Sequence, residues 1–245
     1  LYSIPTLKRQ FGIQKIEAVI PTHYHDDHVA GINLLRQVEG AQVWAAENFA
    51  EILEAPERYD LPCLWYDPIP VERKLALNQP FQWEEYTLTV YGLPGHTLYA
   101  AAIGFEVDGV RVLATGDQYA GNSGMEWNYV YQNRFRSEDF RLTAELYAQL
   151  RPELILSGHW EPLWVRDEQF WDHLMQRGRE LEQMHLDLLP EEIRGFGAEG
   201  FGARLQPYQV AVKSGTVIDY EVELVNPHNS PAEVEVRLEV PAGWE

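Results

Sequence analysis

The sequence predicts an α/β fold, and three observations carry that prediction. Short apolar runs of strand length alternate with longer amphipathic stretches over most of the chain. Several of those runs end on a histidine or an aspartate rather than on an ordinary turn residue. Asp108-Gly109 stands between two apolar runs, Ala101 to Val107 and Val110 to Thr115, which is a strong hairpin signal.

Taken in order, Ile4 to Phe11 reads as a short helix that Gly12 stops. Ile16 to Ile20 (IEAVI) reads as a buried strand ended by Pro21 and Thr22. A helix over Val29 to Gln37 and a strand over Ala41 to Ala46 follow. Ala55 to Pro80 is rich in proline and charge and reads as a long connection. Phe81 to Gly92 alternates like strands and runs into Leu93-Pro94-Gly95-His96. Tyr119 to Arg136 has little periodicity, and a loop of that length is usually functional or mobile. Ser137 reads as the N-cap of a helix reaching Leu150, with Phe140, Leu142, Leu146 and Leu150 as its apolar positions. Glu153 to Ser157 is a strand leading into Gly158-His159, and Asp167 to Leu189 is a long amphipathic helix.

Composition narrows the function. The chain has 245 residues, 45% of them apolar, with 8 Trp and 13 Tyr, which is a globular composition. Nineteen basic against 38 acidic residues give a net charge of −19, so most of the surface would repel a phosphate backbone and nucleic acid is not expected as a partner. No apolar run approaches the roughly 20 residues of a membrane helix. Cys63 is the only cysteine, which excludes a disulfide within the chain. Between Pro62 and Leu64 it reads as a small buried apolar residue. Compartment and oligomeric state are not set by these features.

The chemistry is concentrated at His23-Tyr24-His25-Asp26-Asp27-His28. In extended backbone, residues two apart point the same way, so His23, His25 and Asp27 can share a side just past a strand, with His28 at the entry of the next helix. Four ligand-type side chains crowded into six residues form a platform for a metal ion. Without one, imidazoles and carboxylate would be desolvated with few partners. Further along come Pro94-Gly95-His96-Thr97, Thr115-Gly116-Asp117 and Ser157-Gly158-His159, each at a strand end. Taken singly, His96 would be a turn residue and Asp117 a cap; order and position give them weight. His173 and His185 on the long helix, and His228 in a turn, read as ordinary surface or packing residues. Tyr24, Tyr119, Trp127, Tyr129, Tyr131 and Trp160 either line a pocket mouth or pack locally.

These motifs, from about Ile16 to Trp164, resemble the metallo-β-lactamase superfamily, whose pattern is His-x-His-x-Asp-His followed by a histidine, an aspartate and a final histidine after successive strands. The resemblance implies an αββα sandwich of two mixed sheets with the site at one sheet edge. It implies two divalent metal ions, zinc first and manganese or iron also compatible. His23, His25 and His96 would hold the first ion and Asp27, His28 and His159 the second, with Asp117 bridging; such pairs lie roughly 3.5–4 Å apart. Asp27 and Asp117 would thus be the carboxylates of the catalytic centre. The implied activity is hydrolysis of a small ester, thioester or lactone by a hydroxide bridging the ions, and not necessarily of a β-lactam. Asp117 groups the chain with the glyoxalase II and lactonase branches rather than with true β-lactamases. The residues after Thr97 (Leu98-Tyr99-Ala100) and the Trp160 that follows the last histidine depart from the family pattern and leave the substrate pocket unassigned.

Two other readings stay open. One is a mononuclear iron enzyme similar to persulfide dioxygenases, whose three ligands are a subset of these seven. The other is a surface- or partner-binding protein acting through its C-terminal part. There, after the glycines 195, 197, 200 and 202, three strand-like runs (Gln209 to Val212, Val217 to Val225 and Ala232 to Val240) resemble the opening of an immunoglobulin-like module. A full sandwich has about seven strands. The expected division is therefore 1–194, a metal hydrolase domain, and 204–245, a partial immunoglobulin-like β segment. About 22 residues precede the histidine cluster, too few for the first strands of the family's sandwich, so an incomplete first sheet is expected.

Overall fold

The computed structural model describes residues 3–121, 124–126, 133–188, 195–196, 203–224, 226 and 230–243. In chain order the elements are α1 (Ile4–Phe11), β1 (Ala18–Val19), α2 (Asp26–Val29), α3 (Ile32–Glu39), β2 (Gln42–Ala46), α4 (Ala50–Glu54), β3 (Arg73–Leu75), β4 (Pro80–Trp83), β5 (Tyr86–Gly92), β6 (Ala101–Val107) and β7 (Val110–Gly116). They continue with β8 (Phe135–Arg136), α5 (Asp139–Leu150), β9 (Leu154–Ser157), β10 (Leu163–Trp164), α6 (Gln169–Leu188), β11 (Gly195–Phe196), β12 (Ala203–Gln206) and β13 (Glu221–Leu224).

Two sheets lie at the centre. The smaller, β1-β2-β3, is parallel, and the larger runs β10-β9-β7-β6-β5-β4. In the larger sheet β7 and β9 pair in parallel and the other neighbours are antiparallel. The period-2 alternation of strand side chains builds the layers. Val90 and Ala101 of the larger sheet face Val43, Ala45 and Leu75 of the smaller in one buried cluster, which Val29, Ile32 and Ile52 of the outer helices join. The next residue along each strand, Tyr91 and Ala102, faces the other way, onto a second cluster with Phe140, Ala144 and Tyr147 of α5 and Trp171, Leu174 and Leu181 of α6. The result is helix, sheet, sheet, helix, as expected. Gly178 lets α5 and α6 close: a Cβ there would meet Ala144 Cβ at 2.8 Å and the Phe140 carbonyl oxygen at 2.9 Å.

Several expectations are corrected. Only Ala18 and Val19 of the IEAVI run pair as strand, and they are half-buried, because β1 is the edge of its sheet. The helix after the histidine cluster is two helices, α2 and α3, with Gly31 as the N-cap of the second. The long connection hides β3, only three residues long and without a readable pattern. Ser137 does not cap α5: its hydroxyl meets Glu138 Oε2 (3.3 Å), while Asp139 Oδ2 accepts the Arg136 N–H (2.6 Å). Cys63 is exposed rather than buried. It sits in a left-handed turn (φ 55°), and its carbonyl accepts the Asp26 N–H (2.9 Å), which turns the side chain outward.

The hairpin at Asp108-Gly109 is as expected, with φ of 51° and 77°, the left-handed pair that a tight two-residue turn requires. In the C-terminal part, β12 pairs antiparallel with β13. Residues 209–212 and 232–240 are not strands, contrary to expectation. Val234, Val236, Leu238 and Val240 are 49–61% exposed; a strand needs a neighbour for its backbone and a layer for its apolar side, and the described residues supply neither.

Candidate metal centre

All seven expected ligand residues converge on one end of the sandwich. His23 to His28 follow β1, His96 follows β5, Asp117 follows β7 and His159 follows β9. Because β7 and β9 are parallel neighbours, their carboxyl ends lie side by side, and the Gly158 N–H donates to the Gly116 carbonyl (2.8 Å). The Ala101 N–H, opening β6, donates to the Thr22 carbonyl (2.8 Å) and ties the histidine segment to the larger sheet. His25 is extended (ψ 144°) and its carbonyl receives the first amides of α2, from His28 (3.0 Å) and Val29 (3.1 Å). That single turn of helix puts the ligand atoms of Asp27 and His28 in a different group from those of His23 and His25, although the His28 ring stays 4.2 Å from the His23 ring.

The side chains fall into two groups. Ligand atoms of His23, His25 and His96 form one, those of Asp27, His28, Asp117 and His159 the other, and within each group they lie within 4.8 Å of one another. In the first, His25 Nδ1 and His96 Nε2 are 3.2 Å apart. In the second, His28 Nε2 is 3.1 Å from Asp117 Oδ1, and His159 Nε2 is 2.9 Å from Asp27 Oδ2 and 3.2 Å from Asp117 Oδ2. Asp117 also stands between the groups, its Oδ2 3.7 Å from His96 Nε2. Two glycines make the room: a Cβ on Gly158 would strike Asp117 Oδ1 and His28 Cε1, and one on Gly116 would strike the Thr22 side chain.

Electrostatics suits cation binding. Burial, reinforced by neighbouring imidazoles, holds His23 well below its usual pKa, and burial chiefly lowers His25 and takes His96 down to about 4. These rings are neutral near pH 7, so a metal would not compete with protons for their lone pairs. For His28 burial pulls the pKa down, but Asp117 outweighs it and the net shift is upward. Burial conversely raises Asp117, and His28 with the other imidazoles brings it below the usual carboxylate range. Among the described residues, His23 Nε2 is buried without a hydrogen-bond partner, and buried His28 Nε2 and Asp117 Oδ1 have little beyond their mutual contact at 3.1 Å, which is costly unless something else satisfies them. Neutral imidazoles and carboxylates with unsatisfied ligand atoms, gathered in two groups, fit the binding of divalent cations.

Sequence reasoning left the supporting residues unassigned. Thr22 Oγ1 lies 3.2 Å from His23 Nδ1, and Gln118 Oε1 accepts the His96 N–H. Asn133 Oδ1 lies 3.1 Å from His25 Nε2. Thr97 Oγ1 donates to the Asn133 carbonyl (2.9 Å). Asn133 comes from the long aperiodic loop, where no sequence signal marks it. Of the aromatics read as lining a mouth or packing locally, Tyr24 and Tyr119 are buried in the two clusters, and Trp160 is exposed against Gly121. Trp127, Tyr129, Tyr131 and His228 lie outside the described residues. His173 is exposed, and His185 is buried beside Phe135 and Phe140.

Comparison with known proteins agrees with this geometry. A hydroxyacylglutathione hydrolase of Albidiferax ferrireducens is 32% identical over 110 residues, covering 44% of this chain and 36% of that protein. One of Cereibacter sphaeroides is 28% identical over 152 residues, 59% of this chain and 49% of that protein. The chain thus spans between about a third and a half of the length of these two relatives. Among solved structures, a class B3 di-zinc metallo-β-lactamase from an Alaskan soil metagenome superposes with a TM-score of 0.57 at 15% identity, covering 76% of this chain and 79% of that one. A β-lactamase from Chitinophaga pinensis does so with a TM-score of 0.57 at 20% identity, covering 75% and 78%. These structural likenesses speak for the fold. The family model of the metallo-β-lactamase superfamily matches residues 4–159, a span that holds all seven converging side chains, and the chain belongs to that superfamily.

Proposed function

We propose that the chain is a hydrolase of small esters, thioesters or lactones that works with two divalent ions, zinc in the first instance. His23, His25 and His96 would hold one ion, Asp27, His28 and His159 the other, and Asp117 both. The observation that carries this is the convergence of seven side chains from four strand ends into two adjacent groups, with His23 Nε2 buried and without a hydrogen-bond partner among the described residues. Bound ions would acidify water and draw charge from a carbonyl or phosphoryl oxygen.

The chain's own residues supply the rest. In the first group His23 and His25 are buried and His96 is half-buried. Asp27 and His159 are half exposed, so the second group faces an arriving substrate. The hydroxyacylglutathione hydrolase relatives make a thioester the first substrate class to try. The surface charge of −19 continues to argue against nucleic acid, and no helix among the described residues is long and apolar enough to cross a membrane. In this reading residues 1–194 form the hydrolase domain and 204–245 a C-terminal segment, whose described strand pairing is that of β12 with β13. The test is a panel of thioesters, lactones and simple esters with zinc-loaded protein. Turnover of at least one class, lost on chelation and restored by zinc, is expected. Silence across the panel with both ions bound would refute the substrate assignment.

A further inference from the structure

The long loop before α5 sends one buried side chain back into the metal centre. Asn133 is 4% exposed. Its Oδ1 receives the His25 ring at Nε2 (3.1 Å) and, at a longer 3.4 Å, the Tyr24 hydroxyl. The Asn133 side-chain oxygen is thus an acceptor shared by the two groups. An acceptor at Nε2 places the ring's single proton on Nε2 and leaves the Nδ1 lone pair free. Nδ1 is the atom that faces His96 Nε2 at 3.2 Å, inside the first ligand group.

The loop is pinned where it must be for this. The Asn133 carbonyl accepts the Thr97 hydroxyl (2.9 Å) and the Leu98 N–H (3.3 Å). The adjacent Arg134 carbonyl accepts the same Leu98 N–H (2.7 Å). Arg134, itself buried, reaches the Tyr99 hydroxyl (3.2 Å) and the Asp60 carbonyl (3.2 Å). Thr97 is fully buried and directly follows His96. The segment that carries one ligand thus clamps the residue that orients another.

We infer that Asn133 is a positioning residue: its side-chain oxygen selects the His25 tautomer that offers Nδ1 to the first ion, and Thr97 couples that choice to the placement of His96. This rests on the proposed use of His23, His25 and His96 as one metal site. Loss of an outer partner of a ligating histidine typically costs about ten- to hundredfold in metal affinity.

Two measurements test it. The first is nitrogen NMR of the metal-free wild-type protein with labelled histidine, which reads the tautomer without any metal. His25 as the Nε2–H form is expected, and the Nδ1–H form would overturn the inference whatever the metal site does. The second is zinc affinity by chelator competition in Asn133→Leu and Asn133→Asp. The leucine variant should bind the tighter-held zinc about ten- to hundredfold more weakly. The aspartate variant, which still accepts at Nε2, should stay near wild type, a rescue that a merely space-filling role would not give. Equal affinities in wild type and Asn133→Leu would overturn the inference. If wild type binds no zinc at all, the proposed function fails while the tautomer measurement still decides the role of Asn133.

Discussion

His28 Nε2 stands 3.1 Å from Asp117 Oδ1, and the backbone of Gly158 passes so close that a Cβ there would strike both side chains. That places a residue with no functional group among the determinants of the site. Gly158 has an ordinary backbone conformation, so its importance lies in the missing Cβ, which would reach His28 Cε1 at 2.7 Å.

Gly158→Ala is therefore expected to spread His28 from Asp117 and to weaken metal binding in the second group by at least about tenfold, comparable to losing an outer partner of a ligand. Stability of the metal-free protein should change little. Isothermal titration with zinc, beside thermal unfolding of the apo form, checks both halves. Unchanged affinity would show that the pair can yield.

Gly178 makes the opposite case, a contact that supports the fold and not the chemistry. Its Cα faces Ala144 and the backbone of Phe140 and Arg141 where α6 crosses α5. Gly178→Val should force the helices apart and cost about 1–3 kcal/mol, the usual penalty of overpacking. Denaturant unfolding measures this. Zinc affinity of the folded fraction should be that of wild type, since no ligand comes from either helix.

Asp139 carries a pH dependence. It is 1% exposed, and burial raises its carboxyl to about 6 from the ordinary 3.8, against the opposing pull of the Arg136 N–H. The folded state thus holds the proton more tightly than the unfolded state. The stability this contributes is complete below about pH 4 and is lost as pH rises through 6. The shift corresponds to at most ~3 kcal/mol. Asp139→Asn keeps an oxygen for the Arg136 N–H but carries no charge at any pH. Its unfolding free energy relative to wild type should therefore improve between pH 4 and 8, by a fraction of that ceiling. A difference that stays flat across this range would contradict the burial argument.

The convergence of the seven side chains was legible because each residue sits at the end of a short apolar run, where sequence position and spatial position coincide. Strand ends also announced β5, β6, β7 and β9, and the Asp108-Gly109 hairpin had its own local signature. β3 was not legible, because three residues recruited by β2 carry no period of their own. Asn133 and Gln118 were invisible for another reason: their value depends on a loop returning to His25 and His96 from across the chain, and nothing local encodes that return. Cys63 misled because an apolar neighbourhood in sequence says nothing of a left-handed turn that points the thiol outward. Of the three C-terminal runs read as strands, the one from Val217 to Val225 holds β13, while 209–212 and 232–240 do not form strands, because alternation specifies a face and not a partner to cover it.

Metal content of the purified, zinc-saturated protein, determined by elemental analysis for wild type and His25→Ala, tests the central claim most directly. Wild type should hold about two zinc equivalents per chain, and His25→Ala about one, with hydrolysis abolished. A wild-type chain that never takes up more than one equivalent, or a His25→Ala variant with full zinc content and undiminished turnover, would contradict it.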